Sequence, residues 1–150
     1  MAILTGHGIL ITTSSEVANS NVPYMSAYCA SKAAITKAIH VLNIELQPKG
    51  ILSYAVHPGS VKTSLGGGES VNQAAIKAVP GMQQFWDYIP QLLVDSPELA
   101  AHTMVALAAD DRAKVLSGRF VDSTQDLGEV LERVDELKER NLYEVHINKL

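Results

Sequence analysis

The sequence predicts a single α/β domain built around a parallel sheet. Two apolar, β-branched runs of strand length, residues 8–15 and 51–56, lie on either side of a long helical stretch that opens at Pro23. A strand, a helix and a second strand in this order form a βαβ unit, in which the two strands run parallel. Hydrophobic residues make up 47% of the 150 residues and charged residues 19%, a balance that is typical of a globular domain and excludes a disordered chain.

The first strand and the helix are predicted from their apolar patterns. The run 8–15 does not alternate strictly between apolar and polar residues, so we expect a strand that is covered on both faces. The helix extends from Pro23 to about Gln47, and Pro48 and Gly50 end it. Its apolar residues recur near helical spacing and are Ala27, Ile35, Ile39, Leu42 and Leu46.

The second strand ends at His57-Pro58-Gly59, because proline cannot extend a central ladder. Residues 60–95 are the least regular part of the chain, and we expect a long, partly helical excursion there. Such a segment serves as a lid or binding loop, or else is mobile, and the sequence leaves these alternatives open. Within it, Gly66-Gly67-Gly68 is interpreted as a flexible loop, because no Lys-Ser or Lys-Thr pair follows to complete a phosphate-binding motif.

The apolar pattern in the last third of the chain predicts two further helices and two further strands. In chain order they are a helix from Ser96 to about Ala109, a short strand over 116–121, an amphipathic helix over 127–140 and a weak final strand through Tyr143, Val145 and Ile147. Ser96 is a good N-cap, because Pro97 follows at the first helical position. No internal repeat or low-complexity linker interrupts the chain, so residues 1–150 are taken as one domain.

Charge and cysteine content exclude several classes of partner. Sixteen acidic residues against twelve basic ones give a net charge of −4, and the acidic excess lies in residues 121–150. A nucleic-acid partner would require a basic surface. No apolar run reaches the roughly 18 residues of a membrane span, and the first residues lack the basic segment of a signal peptide. Cys29 is the single cysteine, so we expect a cytosolic protein without an internal disulfide, a membrane partner or a nucleic-acid partner.

Tyr28 and Lys32 are the first candidate functional residues. They lie four residues apart near the start of the predicted helix, which places both side chains on one face of it. A positive charge about 4 Å from a phenol stabilises the phenolate by roughly 4 kcal/mol at an effective dielectric of about 20. Such a phenol is suited to general acid or base catalysis near neutral pH. The same spacing also occurs by chance on solvated helix faces, so the pair needs a second observation.

That second observation is the convergence of other polar residues on the pair. Ser15 lies at the carboxyl end of the first strand, and Pro58-Gly59-Ser60-Val61-Lys62-Thr63 follows the second strand. The carboxyl ends of parallel strands lie at one edge of a sheet, where open α/β sheets bind their ligands. A serine hydroxyl, a tyrosine and a lysine at that edge suit the polarisation and protonation of a carbonyl oxygen.

Together these residues resemble the short-chain dehydrogenase/reductase family. The family has a serine at a strand end, then a Tyr-x-x-x-Lys motif, then a Pro-Gly turn after the next strand with a threonine beyond the glycine. Here Ser15 precedes Tyr28-Cys29-Ala30-Ser31-Lys32 by thirteen residues, and Thr63 follows Gly59 by four. The resemblance is close over residues 8–65 and looser in the remainder of the chain.

The resemblance implies a Rossmann-like, doubly wound parallel sheet with flanking helices and hydride transfer between NAD or NADP and an alcohol or ketone. By resemblance, Tyr28 is the catalytic acid or base, Lys32 activates Tyr28 and holds the nicotinamide ribose, and Ser15 holds the substrate oxygen. The residues expected to line the nicotinamide carboxamide and the neighbouring phosphate are Pro58, Gly59, Val61 and Thr63. Ser14 is the alternative to Ser15. The spacing favours Ser15, and adjacent strand residues point to opposite faces, so one of the two serves.

The family's nucleotide-binding strands and its glycine-rich turn precede the catalytic serine, whereas seven residues precede the first predicted strand here. Gly6-His7-Gly8 begins a G-x-G-x-x-G pattern, but Ile11 occupies the position of the third glycine. We therefore expect a partial sheet that lacks the N-terminal nucleotide-binding strands, in a truncated catalytic half with impaired activity and weak dinucleotide binding. The preference between NAD and NADP and the identity of the substrate stay open.

Other classes of function are weighed against this one. A hydrolase would combine Ser15, His57 and an aspartate, but the chain has no G-x-S-x-G elbow. A metal site would require scattered histidines to converge, so none is predicted. The remaining alternative is a catalytically inactive interaction module. Because members of the family commonly assemble through the tyrosine-bearing helix, a homo-oligomer would use its apolar residues Ile35, Ile39, Leu42 and Leu46.

Overall fold

The computed structural model describes residues 7–65 and 71–146, and its sheet has three parallel strands in the order β1-β2-β3. The strands are β1 (Gly8–Thr13), β2 (Ile51–His57) and β3 (Phe120–Asp122). Gly8 of β1 pairs with Ile51 of β2, and Thr13 pairs with Val56. Because all three strands run in the same direction, their carboxyl ends lie at one edge of the sheet, as the sequence predicts.

Six α-helices accompany the sheet in the described part of the chain. They are α1 (Ser26–Leu46), α2 (Gln73–Ala78), α3 (Met82–Leu92), α4 (Pro97–Ala109), α5 (Leu127–Glu132) and α6 (Val134–Glu139). Short 3₁₀ turns cover Glu16–Asn19, Gln47–Lys49 and Asp111–Leu116. The helix α1 connects β1 to β2, which confirms the predicted βαβ unit. None of the described helices combines the length and the apolar character that crossing a membrane requires.

The central strand β2 is covered on both faces, because successive side chains of a strand point to opposite sides. On one face, the Ser53 hydroxyl donates a hydrogen bond of 3.4 Å to Oδ1 of Asn43 on α1. On the other face, Tyr54 is fully buried and its hydroxyl donates to the carbonyl of Ala113 at 3.2 Å. Burial raises the pKa of Tyr54 to about 12. The main core cluster lies around this side chain and comprises Tyr54, Val56, Leu107, Ala113, Leu116, Val121 and Leu137.

The strand β1 differs from its prediction in one respect. Within the described residues it pairs with β2 alone and forms an edge of the sheet. Ile9 and Leu10 are 42% and 36% exposed. The apolar run is therefore a strand, as predicted, but it is not covered on both faces.

The apolar side chains of α1 hold the helix on the sheet. Ile39 is 1% exposed, and the other three residues that were assigned to an assembly face are half-buried: Ile35, Leu42 and Leu46. The predicted assembly face is thus largely an interior face. Val41 and Ile44 are instead exposed, at 44% and 66%.

The start of α1 is also later than the sequence predicts, at Ser26 rather than Pro23. Tyr24 has a φ of 64°, in the left-handed region that a side chain adopts at a cost. A residue in this conformation cannot be part of a right-handed helix. The segment before α1 is therefore a turn.

The third strand is shorter than the predicted 116–121 because the chain bends before it. Leu116 belongs to a 3₁₀ turn, and β3 begins at Phe120. Gly118 has a φ of 87°, and a Cβ added there would lie 2.7 Å from Nδ2 of Asn43. The Ser117 hydroxyl meanwhile bonds to Oδ1 of Asn43 at 2.6 Å. Glycine is thus required at 118 by both the backbone angle and the close approach to α1.

The C-terminal elements are in part predicted wrongly. The helix expected over 127–140 is present as α5 and α6, which are separated at Arg133. Tyr143 and Val145 belong to no strand, and the φ of Tyr143 is 61°, which is incompatible with a ladder. Ile147, the last residue of the predicted strand, lies outside the described residues.

The excursion predicted between residues 60 and 95 contains α2 and α3, so it is partly helical as expected. Asn72 caps α2, because its Oδ1 accepts hydrogen bonds from the backbone of Ala74 and Ala75. The helix α4 starts one residue after Ser96, where the sequence predicts it. The loop Gly66-Gly67-Gly68 lies outside the described residues.

Candidate active site

Helix α1 places Tyr28 and Lys32 side by side, as their spacing predicts. The ammonium nitrogen Nζ of Lys32 lies 5.6 Å from the centroid of the Tyr28 ring, close enough for a favourable cation–π interaction. The same nitrogen donates a hydrogen bond of 2.9 Å to the backbone carbonyl of Thr13, the last residue of β1. Both side chains are half-buried. The pair is therefore fixed at the carboxyl end of β1.

The two serines that follow β1 have different surroundings. Ser14 is 1% exposed, and its Oγ lies 2.5 Å from Oγ1 of Thr36 on α1. Its backbone N–H donates to the carbonyl of Val56 at 2.7 Å. The Ser15 hydroxyl oxygen instead accepts a hydrogen bond of 3.4 Å from the N–H of Val17 and caps the following 3₁₀ turn. The Ser14 hydroxyl is thus engaged between β1 and α1, whereas the Ser15 hydroxyl bonds within its own turn.

The Pro-Gly turn after β2 lies at the same edge of the sheet. Gly59 has a φ of 85°, a left-handed conformation that glycine adopts without strain. The N–H of Ser60 donates to the carboxylate of Asp95 at 2.6 Å, and Val61 forms an isolated parallel bridge with Asp95. Of the four residues predicted to line the nicotinamide, Gly59 is buried, Pro58 and Val61 are half-buried and Thr63 is exposed.

The parallel topology brings the three predicted segments of the site to one edge. The Lys32 hydrogen bond joins α1 to the end of β1, and the pairing of Thr13 with Val56 sets that end beside the end of β2. Across residues 7–65 and 71–146, no hydrogen bond joins the Ser15 hydroxyl to that of Tyr28. The same ranges hold no group of three or more His, Cys, Asp or Glu side chains placed to bind a metal ion.

His57 is a further titratable residue at this edge. It is 7% exposed, and its ring stacks on Phe120 with the centroids 6.4 Å apart and the planes at 11°. Its Nδ1 is buried and has no hydrogen-bond partner among the described residues. In a hydrolytic triad, a carboxylate orients the histidine through one ring nitrogen. The strand partner of His57, Asp122, bonds to Thr124 instead, and no carboxylate among the described residues is hydrogen-bonded to Nδ1 of His57, so the hydrolase alternative gains no support.

A cavity of about 370 Å³ lies apart from the predicted site residues. All of its lining residues lie between Thr124 and Tyr143, so the cavity is next to α5 and α6. Glu136 and Arg133 lie on its wall, and hydrogen bonds from Arg133 and from Arg140 hold the pKa of the Glu136 carboxyl below its usual range. The cavity contains none of the predicted catalytic or cofactor-binding residues.

Three residues that shape the edge were not predicted from the sequence. Thr36 bonds to Ser14, and its position one turn after Lys32 was the signal that could have indicated it. The Tyr24 hydroxyl donates to the carbonyl of Pro80 at 3.1 Å, although these residues are 56 positions apart. Asp95 likewise contacts a turn 35 positions earlier. No local pattern indicates contacts between residues so distant in sequence.

Comparisons with known proteins bear on both the sequence and the fold. Residues 2–74 match the family model described as short chain dehydrogenase. A short chain dehydrogenase of Pseudocercospora fijiensis is 38% identical over 134 residues, which cover 85% of this chain and 41% of that protein. Human retinol dehydrogenase 13 is 33% identical over 118 residues, which cover 79% of this chain and 34% of that protein. The chain thus spans well under half the length of these curated relatives.

Solved structures share the fold at lower sequence identity. One is a 7α-hydroxysteroid dehydrogenase complexed with NADH and 7-oxo-glycochenodeoxycholic acid, with a TM-score of 0.55 and 23% identity. The match covers 77% of this chain and 42% of that one. At this identity the likeness concerns the fold alone. It confirms the predicted fold class, a partial Rossmann-like sheet of parallel strands with flanking helices.

Proposed function

Because the chain belongs to the short-chain dehydrogenase family, we propose that it carries the catalytic residues of an oxidoreductase that transfers hydride between NAD or NADP and an alcohol or ketone. The observation that carries the proposal is the position of Lys32, which bonds to Thr13 at the end of β1 and lies 5.6 Å from the Tyr28 ring centroid. An ammonium and a phenol held together at the carboxyl edge of a parallel sheet are suited to proton transfer to a bound carbonyl.

The groups at this edge fit the nicotinamide end of a dinucleotide. The Lys32 ammonium and the Tyr28 hydroxyl are donors that suit ribose hydroxyls. The turn that contains Pro58, Gly59, Val61 and Thr63 follows β2 at the same edge of the sheet. When bound, the nicotinamide supplies or accepts the hydride. The steroid dehydrogenase of similar fold is complexed with NADH. For this chain, the preference between NAD and NADP stays open.

Each catalytic side chain has one role in the reduction of a ketone. Ser15 donates a hydrogen bond to the carbonyl oxygen and Tyr28 transfers its phenol proton to that oxygen, while the carbonyl carbon receives the hydride. The ketone thereby gains two electrons and two hydrogens and becomes an alcohol. Lys32 stabilises the negative charge left on the phenol oxygen, which regains its proton from solvent.

We expect the substrate to be a small-molecule alcohol or carbonyl compound. Two similar proteins are named for such substrates, retinol in the human relative and a hydroxysteroid in the solved structure. Neither substrate is assigned to this chain. The cytosolic location and the absence of a nucleic-acid partner stay predictions.

An interaction module without activity is the second candidate function. Its support is the exposed apolar surface of α1, on which Val41 and Ile44 are 44% and 66% exposed. The variant Tyr28→Phe separates the two candidates, because it is expected to abolish alcohol oxidation and to leave assembly by size-exclusion chromatography unchanged. A wild-type protein that oxidises no alcohol, together with a changed elution volume in Tyr28→Phe, would favour the interaction module.

Dinucleotide oxidation tests the proposed function directly. The purified protein is mixed with NADH or NADPH and with aliphatic, cyclic and aromatic ketones, and the dinucleotide absorbance is followed. Ketone-dependent oxidation that disappears in Tyr28→Phe is the expected result. The proposal is wrong if the wild-type protein, saturated with either dinucleotide, oxidises it no faster with any ketone than without.

A further inference from the structure

A carboxylate from outside the predicted site holds the Pro-Gly turn after β2. The N–H of Ser60 donates to Oδ2 of Asp95 at 2.6 Å, and the N–H of Asp95 donates to the carbonyl of Ser60 at 3.2 Å. Val61 continues this contact as a parallel bridge with Asp95. A hydrogen bond from an N–H to a carboxylate is stronger than one between neutral groups. The turn is therefore held through both the backbone and a charged side chain.

Gly59 makes the close approach of Asp95 possible. A Cβ added at Gly59 would lie 2.8 Å from Oδ2 of Asp95, which is too short for a real contact, and 3.0 Å from its Cγ, which is tighter than most. The φ of 85° independently favours glycine. The carboxylate thus packs against the side of the turn where a side chain would otherwise lie, which fixes the direction in which the turn faces.

The helix α4, which follows Asp95, packs against the core. Asp95 lies just before α4, and Ala100 and Leu107 of that helix are 8% and 2% exposed. The contact also joins the two ends of the excursion that contains α2 and α3, because Ser60 and Asp95 are 35 positions apart. Asp95 therefore links the turn to the far end of the excursion, next to a helix whose inner face is buried.

We propose that Asp95 is a positioning residue that fixes the Gly59–Val61 turn for the nicotinamide end of the dinucleotide. The inference rests on the proposed function, in which this turn lines the nicotinamide. Asp95 is not one of the proposed catalytic residues. It acts through the backbone of Ser60 and Val61. With the turn fixed in advance, dinucleotide binding need not order it, and less conformational entropy is lost on binding.

The first measurement concerns the turn itself. Hydrogen exchange of the Ser60 amide is compared in the wild-type protein, Asp95→Ala and Asp95→Asn. We expect exchange to accelerate by roughly tenfold or more in Asp95→Ala, the effect of losing one charge-assisted hydrogen bond. Asp95→Asn keeps an acceptor oxygen and is expected to restore most of the protection. Asp87→Ala is the matched control, because it removes an exposed carboxylate from α3 within the same excursion.

The second measurement concerns the dinucleotide. Chemical-shift titrations with NADH and with NADPH, which also report weak binding, are run on the same variants. Asp95→Ala is expected to weaken binding by roughly threefold to tenfold, whereas Asp95→Asn and Asp87→Ala are expected to stay near wild type. Thermal unfolding is recorded in parallel, and a positioning role predicts that affinity is lost while Asp95→Asn and wild type unfold at similar temperatures.

The outcomes separate this inference from the proposed function. If the wild-type protein responds to a dinucleotide but Asp95→Ala matches it in affinity or in Ser60 exchange, the positioning role is wrong and the proposed function stands. If neither dinucleotide shifts any wild-type resonance, the proposed function fails and the positioning role falls with it.

Discussion

The ammonium of Lys32 donates a hydrogen bond of 2.9 Å to the carbonyl of Thr13, and this bond ties helix α1 to the end of strand β1. A lysine beside a tyrosine on a free helix face would be mobile, because its side chain has many rotamers. Here the main chain of another element holds it. The positive charge is therefore at a defined place relative to the phenol.

Replacing Lys32 by Met tests the importance of this charge. The change keeps most of the side-chain volume but removes the hydrogen bond to Thr13 and the charge beside Tyr28. We expect ketone-dependent turnover to fall by about 100-fold or more, as for the loss of an acid–base catalyst. Lys37→Met, at an exposed position of the same helix, serves as the control and is expected to keep wild-type turnover. Equal activity of the two variants would contradict the role of Lys32.

The two serines after β1 are expected to respond differently to alanine. Ser14→Ala breaks a buried hydrogen bond with Thr36 and is expected to lower the free energy of unfolding by about 1 kcal/mol. Ser15→Ala is expected to lower turnover by roughly 10- to 100-fold with a smaller loss of stability. Denaturant unfolding and steady-state rates on both variants check this. The opposite pattern, with turnover lost in Ser14→Ala alone, would make Ser14 the site serine.

The contact between Tyr24 and the excursion gives a third prediction. In Gly81→Ala, the new methyl group would lie 2.5 Å from the Tyr24 hydroxyl at a residue whose φ is 81°. We expect Gly81→Ala to cost about 1–3 kcal/mol of unfolding free energy and to speed hydrogen exchange near residue 81. Adding Tyr24→Ala is expected to recover part of the loss, because the steric conflict is removed while the backbone strain remains. No recovery in the double variant would show that the two side chains do not interact.

The raised pKa of Tyr54 predicts that the protein loses stability at high pH. Burial raises its pKa from 10.0 to about 12, so the folded protein favours the neutral phenol. This contribution is present below pH 10 and is lost as the pH rises toward 12, by roughly 2–3 kcal/mol in total. Comparing Tyr54→Phe with wild type cancels the other titrating groups. The unfolding free energy of wild type is expected to fall more steeply between pH 10 and 12 than that of Tyr54→Phe; parallel curves would contradict the prediction.

Dinucleotide affinity gives a fifth prediction. The sequence contains no Gly-x-Gly-x-x-Gly turn to bind a pyrophosphate, so we expect the 150-residue chain to bind NADH and NADPH weakly. Isothermal titration calorimetry measures both affinities. A dissociation constant in the micromolar range would show that the described edge of the sheet binds the dinucleotide well by itself.

The sequence was sufficient to predict the βαβ unit and the Tyr28–Lys32 pair. Both depend on short-range periodicity, and the 5.6 Å contact between Lys32 and the Tyr28 ring confirms that the two share a helix face. The bend before β3 and the end of the chain were predicted less well. There, Gly118 and Tyr143 adopt positive φ angles, and apolar alternation does not report such angles.

The environment of the site residues was beyond sequence reasoning for the same reason. That Ser14 packs against Thr36 while Ser15 caps a turn depends on how α1 lies on β1. The Asp95 contact with Ser60 depends on the path of the entire excursion between them. Residue types and spacing indicated the chemistry, and tertiary packing determines which atoms are available for it.

The close fit of Gly118 against Asn43 has a consequence for how the sequence can change over evolution. A Cβ at position 118 would lie 2.7 Å from the Asn43 amide, while Oδ1 of that amide bonds to Ser117. A smaller residue at position 43 would remove the close contact but not the strain of a φ of 87°, so homologues that keep asparagine at position 43 should also keep glycine at position 118. Because position 43 lies on the helix of Tyr28, sequence change in this turn is constrained by the same helix that carries the proposed catalytic pair.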